Sequence, residues 1–303
     1  MSQTGIESHV ETVLPRDLDT RLAPSHQALK VRSFGLTDPG KVRTSNEDQF
    51  LIAVLTKALQ IQQTSLRQSQ VQYAQEQGYL FVVADGMGGH AGGEQASALA
   101  VDSLESFLLN TFLWFHHLKG REGDHVLHEF RQALGQADVH ILAEAAQRPE
   151  LRGMGTTLTM AYSLNNELFV AHAGDSRCYL FRQGNLHQLT QDHTVVQEMV
   201  RRGLLPAEEA ARHPLRHVVT NVIGGHEAGV QVEMHKVHLE AGDRVLLCSD
   251  GLSEMVPNDE VAALLQDCSD LAGACTRLVG TANERGGKDN VTVIVVTYEA
   301  TAN

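Results

Sequence analysis

The chain has 303 residues, 42% hydrophobic and 20% charged, which is ordinary for a soluble globular protein able to bury one large core or two modest ones. A net charge of −13, with no Lys/Arg block to offset it, excludes nucleic acid and anionic membrane as expected partners. The four cysteines form no CxxC pair, no signal peptide opens the chain, and the apolar patch FLLNTFLWFHH is too short and interrupted to span a bilayer. The expectation is a soluble, cytoplasmic monomer with buried, reduced thiols.

Residues 1–28 carry two prolines and no sustained period, and read as an N-terminal tail. Strand-like pattern begins at Leu29, with Asp38-Pro39-Gly40 marking a turn. The Gln-rich interval 59–77 fits either a loop or an amphipathic hairpin. The strand YLFVVAD follows, then a helix over about 93–109 and a second amphipathic helix over about 124–147. GTTLTMAYSL, ELFVAHAGD and RCYLFRQG read as three consecutive strands, with Asn165-Asn166 and Gly184-Asn185 in the turns.

A His- and Arg-rich stretch over about 191–229 holds one short helix, TVVQEMVRRG, within a longer excursion. Two strands (VQVEMHKVHL, DRVLLCSD), two helices (NDEVAALLQD, DLAGACTRLVGTANERGG) and a last strand, NVTVIVVTY, complete the chain, with Gly286-Gly287 as a helix stop. Strand runs with paired helices between them depart from regular βαβ alternation. The fold class is α+β, with sheets in the middle and helix pairs outside.

The acids are placed with more regularity than turns require. Asp85, Asp175 and Asp250 each stand where a strand runs out, while Asn46-Glu47-Asp48 and Asp289-Asn290 stand where strands begin. In antiparallel sheets those ends are neighbours, so all five sites can meet along one edge. Such a cluster stays ionised only with cations among it, and hard oxygen donors without cysteine select Mg²⁺ or Mn²⁺ over zinc. Any single Asp-Gly is more often just a turn. Five at consistent strand ends argue otherwise.

Five glycines follow Asp85 in DGMGGHAGG. Gly86 to Ala91 satisfies G-x-G-x-x-A, the dinucleotide fingerprint, but no second strand ending in an acid follows roughly 20 residues on. A Walker A motif is missing as well, since no Ser or Thr follows Lys288. The glycines instead let backbone carbonyls and Asp85 approach a metal closely.

RTSNEDQF, VVADGMGGHAGGEQAS, GMGTTLTMAY, VAHAGDSRCYLF, LLCSDGLSEMV and GKDNVTVIVV resemble, in order, the motifs of metal-dependent protein phosphatases of type 2C (the PPM family) in their bacterial form. The match spans residues 29–298, nearly nine-tenths of the chain, and six ordered motifs are far more specific than any one.

The resemblance implies a four-layer α-β-β-α sandwich of two mostly antiparallel sheets flanked by helix pairs. It implies a catalytic domain over 29–299 with a variable flap over about 191–229, leaving 300–303 as the C-terminal end. Two Mn²⁺ or Mg²⁺ ions are implied at one edge, with Asp85 bridging both, the Gly86 carbonyl on one, and Asp250 and Asp289 completing the site. Asp48 and Glu47 would act through waters, while Asp175, Asp250 and Glu254 resemble a third, weaker metal site. Arg43 matches the arginine that grips the substrate phosphate, for which a bidentate guanidinium is suited.

The implied reaction is hydrolysis of phosphoserine and phosphothreonine in proteins by a water between the two ions, counteracting a bacterial Ser/Thr kinase. Eukaryotic relatives carry a histidine after the Asp-Gly; here Met87 stands there, and His90 is the candidate proton donor nearby. Two rivals are a silent binding module of the same fold and a hydrolase of small phosphate esters.

Overall fold

Side-chain alternation along the strands sets the layers. The computed structural model describes residues 29–60, 71–88, 92–110, 122–210, 212–267 and 270–301. The expected tail over 1–28 and His90 lie outside the described residues. The chain opens with β1 (Leu29–Asp38), β2 (Asp48–Gln60), β3 (Val71–Met87), α1 (Gly92–Asn110) and α2 (Glu122–Gln147). It continues through β4 (Gly155–Thr156), β5 (Leu158–Leu164), β6 (Glu167–Ala173), β7 (Arg177–Arg182), β8 (Asn185–Gln188), α3 (Val195–Arg201) and α4 (Ala207–Ala210). It closes with β9 (Ile223–Gly224), β10 (Glu233–His238), β11 (Arg244–Cys248), α5 (Asp250–Ser253), α6 (Asn258–Asp267), α7 (Leu271–Glu284) and β12 (Val291–Ala300).

On β3, Leu80, Val82 and Ala84 pack toward α1 and α2, where Leu104, Phe130, Leu134 and Ile141 meet them. Phe81 and Val83, one residue out of phase, face the other sheet and join Cys178, Leu180, Val245, Leu247, Ile294 and Val296. The same split occurs on β12: Val291, Val293 and Val295 pack under α7, while Ile294, Val296 and Tyr298 point to the middle layer. A strand buried on both faces reads as a continuous apolar run, which is why VTVIVV on β12 shows no regular polar alternation. Three apolar interlayer cores therefore hold four layers, the α-β-β-α sandwich expected.

One sheet has the order β1-β12-β11-β7-β8. The other runs β10-β6-β5-β3-β2, with β4 extending the β5 edge toward the end of β3 and β9 lying beyond it. All the pairings are antiparallel. The Gln-rich interval extends the β2–β3 hairpin, with Gln60 opposite Val71, and residues 61–70 lie outside the described residues.

The three consecutive strands form as expected: β5 and β6 make a hairpin through Asn165 and Asn166, both at positive φ, and β7 crosses to the other sheet beside β11. One local expectation shifts. The β7–β8 turn is Gln183-Gly184, one residue earlier than expected, because Arg182 already pairs Asn185. Gln183 takes a left-handed conformation (φ 51°) that its residue type does not advertise.

His172, on β6, is fully buried between Thr159 and the Gln191 carbonyl. Burial, reinforced by His193 and opposed by Glu233 and Asp192, pushes its pKa from 6.5 down to about 4. The folded chain keeps His172 neutral while the unfolded chain takes up a proton below 6.5, so its support is complete above that pH. It is lost as pH falls toward 4. Urea unfolding should show this as a decline of up to about 1.4 kcal/mol per pH unit across that window, removed in His172→Gln. Identical slopes in the two proteins would disprove it.

Candidate active site

Asp85 lies two residues inside the end of β3, directly opposite Asp48, the first residue of β2. Its backbone is pinned on the β4 side. The N–H donates to Thr157 Oγ1 (3.1 Å), and the carbonyl accepts the Thr157 N–H (2.9 Å) and the Thr156 hydroxyl (2.9 Å). The carboxylate is left to face the cleft. Gly86 N–H donates to the Glu47 carbonyl (3.2 Å), and a Cβ at Gly86 would collide with the Gly93 carbonyl. Part of the glycine requirement is thus backbone packed on backbone where β3 meets α1.

Asp250 is the first residue of α5, and Glu254 stands one turn later, its N–H donating to the Asp250 carbonyl (2.8 Å). Asp175 follows β6 at a corner turned by Gly174 (φ 118°). Asp289 precedes β12, and Arg43 reaches it with Nη2 2.6 Å from Oδ2. Asn290 ties that corner to the arginine's loop: Oδ1 accepts the Glu47 N–H (2.8 Å), while Nδ2 donates to the Ser45 (2.8 Å) and Pro39 (3.0 Å) carbonyls. Ser249 donates to Asp48 Oδ2 (2.8 Å) and accepts the Thr292 N–H (2.9 Å).

Glu47, Asp85, Gly86, Asp175, Asp250, Glu254, Asp289 and Arg43 all line one cleft of about 690 Å³, with Asp48 buried just behind. The acids expected from strand ends therefore meet at one edge. His217, a residue to which the sequence reading gave no role, lines the same cleft and pairs through Nδ1 with Glu254. Donor atoms of His217, Asp250 and Glu254 lie within 4.8 Å of one another. Of the arginines in the stretch over 191–229, Arg216 reaches this cleft, whereas Arg201 and Arg202 pair with Glu198 on a second one.

So many carboxylates resist ionisation together. Burial, then Asp48 and Asp250, pushes Asp85 well above the usual carboxylate range; burial, then Asp175 and Glu254, does the same to Asp250. Burial also raises Asp48 to about 6, and Asp175, beside Asp192, to about 7. Asp48 Oδ1 and Asp250 Oδ1 are buried with no hydrogen-bond partner, a costly state for a polar atom. Divalent cations would relieve both the repulsion and the orphaned oxygens, and an all-oxygen donor set suits Mg²⁺ or Mn²⁺.

Comparison with known proteins supplies the family and agrees with the fold. The family model described as protein phosphatase 2C matches residues 59–289. The serine/threonine protein phosphatase PstP of Mycobacterium tuberculosis is 41% identical over 217 residues, 71% of this chain and 40% of that protein. This chain thus spans about two-fifths of the length of that relative. The protein phosphatase PhpP of Streptococcus pneumoniae is 34% identical over 269 residues, covering 86% of this chain and 95% of its own length. The solved catalytic domain of PstP, in complex with two manganese ions, superposes with a TM-score of 0.68 at 34% identity, over 90% of this chain and 100% of that one. With the sandwich, the acid-lined edge and the ordered motifs in agreement, the chain belongs to the protein phosphatase 2C family.

Proposed function

We propose that this chain is a metal-dependent serine/threonine-protein phosphatase. The observation that carries the reading is the cleft itself: acids from five separate chain segments with two orphaned, buried carboxylate oxygens, and Arg43 at the mouth. Asp85, Asp250, Asp289 and the Gly86 carbonyl are the residues to hold two Mn²⁺ or Mg²⁺ ions. Asp48 and Glu47 support them through water, and Asp175 and Glu254 serve a third, weaker ion. When bound, such ions neutralise phosphoryl charge and activate water for direct attack.

The remaining work falls to the chain. Arg43 is half-exposed and anchored to Asp289, which aims its free guanidinium edge at an arriving phosphate. The Asn290 bonds keep that loop beside the acids. No serine or cysteine nucleophile is needed, and the buried Cys178, Cys248 and Cys275 supply none. His90 remains the candidate donor of a proton to the leaving serine or threonine oxygen.

The catalytic unit is residues 29–299, with the flap over about 191–229 overhanging the cleft. Its substrates are phosphoproteins, among them a Ser/Thr kinase or the targets of one, since that reaction class supplies such esters. A cytoplasmic setting fits a chain in which no described helix is long and apolar enough to cross a membrane. The deciding experiment is phosphate release from a phosphothreonine peptide with Mn²⁺ and with EDTA, beside nucleotides as small esters. Release that needs Mn²⁺ and favours the peptide supports the reading. Metal binding without turnover would leave a binding module, and preference for nucleotides a small-ester hydrolase.

A further inference from the structure

We infer that His193 is a positioning residue, a clamp that grips Gly174 from both sides and holds the Asp175 corner in register with the returning segment of the flap. Its N–H donates to the Gly174 carbonyl (2.7 Å), and its Nδ1 accepts the Gly174 N–H (3.1 Å). Gly174 has little freedom to compensate: its φ is +118°, and a Cβ there would stand 2.5 Å from Thr157 Cβ. One residue beyond it is Asp175, in the acid-lined cleft.

The same histidine holds the flap. Its carbonyl accepts both the N–H (2.7 Å) and the hydroxyl (3.0 Å) of Thr220, and Nδ1 also accepts from Asn221 Nδ2 (2.9 Å). Asn221 is itself fixed by Gln231, through both its amide nitrogen (2.7 Å) and its oxygen (3.0 Å). Beside these, Thr194 bridges Val219, and Val195 N–H donates to the Val218 carbonyl (2.9 Å). This segment is the wall between two clefts. His217 and Val219 line the acid-rich one, while Thr220 and Asn221 line a second of about 910 Å³.

Donor atoms of His172, His193 and Glu233 lie within 4.8 Å of one another, which invites a cation-site reading. The proton count opposes it. His193 Nδ1 already accepts two N–H donors, so the ring proton sits on Nε2, the atom 3.2 Å from Glu233 Oε2. No lone pair is left for a metal. Glu233 in turn takes the Gln191 N–H (3.1 Å) and pairs with His235. The network is closed, and its outputs are the positions of Gly174 and Thr220.

The clamp rests on the phosphatase reading only for its effect on turnover, so amide hydrogen exchange on the full chain is the primary test. In the unmodified protein the Gly174 and Thr220 amides should exchange at matched rates, through one opening. In His193→Ala both should exchange about tenfold faster while amides of β5 and β11 keep their rates. KM for a phosphothreonine peptide should rise about tenfold, with kcat on para-nitrophenyl phosphate changed by about twofold or less.

His193→Gln should recover most of both effects, because its oxygen can accept the Gly174 N–H while its nitrogen donates to Glu233. Unmatched rates in the unmodified chain, release of Gly174 without Thr220, or faster exchange throughout both sheets would each overturn the clamp. Should His193→Ala fail to fold, matched rates in His193→Gln would support it and divergent ones would overturn it. A chain with the exchange pattern but no activity on any phosphate ester would sink the phosphatase reading and leave the clamp standing.

Discussion

Asp85→Asn is expected to lower phosphate release from a phosphothreonine peptide by about 10³-fold while making the EDTA-treated protein more stable. The activity loss follows from removing a charged oxygen donor at the centre of the cleft. The stability gain follows from the crowd around it. Burial and the neighbouring Asp48, Asp250, Asp175 and Asp289 all oppose its ionised form, so a neutral isostere removes repulsion without leaving a void. Relief of about 1 kcal/mol would raise the melting temperature by about 2 °C in a chain of this size. Mn²⁺ should then separate the two proteins the other way, stabilising the unmodified chain by mass action and the variant far less. Thermal unfolding in EDTA and in Mn²⁺, with phosphate release on the same samples, reads all of this. Retained turnover in a folded variant at saturating Mn²⁺ would remove Asp85 from the site, and a variant less stable in EDTA would refute the electrostatic account.

Asp138→Ala is expected to lower the unfolding free energy by about 3 kcal/mol. Asp138 stands on α2, only 2% exposed, and accepts three backbone N–H groups from the end of β9 and the segment between β9 and β10: Gly224 (2.7 Å), Gly229 (2.8 Å) and Val230 (3.4 Å). Hydrogen bonds to a charged acceptor contribute about 1.5–3 kcal/mol each but are not additive, and their loss strands buried donors. Asp138→Asn, which keeps one acceptor oxygen, should cost about half as much. Urea unfolding measures the difference, and limited proteolysis across 224–230 reports where the chain loosens. A change below about 0.5 kcal/mol would show that water replaces the carboxylate at no cost.

The strands and the acid edge were legible because each depends on local pattern. Apolar runs such as YLFVVA and VTVIVV are long enough to mark strands buried on both faces, and an acid at a strand end declares its position without any knowledge of the partner strand. What stayed hidden depends on partners far along the chain. Nothing in RCYLFR says that it leaves the β5–β6 sheet. A lone Asp138 in an amphipathic helix reads as solvent-facing, since the amide it holds most tightly lies 86 residues away. His217 meets Glu254 only because the segment between α4 and β9 returns to the cleft, and Asn290 joins a loop 245 residues distant. Spacing rules cannot register such contacts, and the Gly86 reading was incomplete for the same reason: its closest neighbour, Gly93, comes from the start of the next helix.

The irregularity between Thr56 and Ala58 divides the β2–β3 hairpin into two arms. The inner arm carries unbroken register from Thr56 opposite Gln77 down to Asp48 opposite Asp85, and its alternation is fixed by cores on both sides. A one-residue slip there would turn every side chain to the wrong face, so the inner arm cannot move without unfolding. The outer arm, Ala58–Gln60 with Val71–Tyr73, is joined to it through the bulge. Lengthening or shortening the chain beyond that point is therefore absorbed before it reaches the acids. The outer arm is thus where an inserted tag or domain is expected to leave the register of Asp48 and Asp85 unchanged.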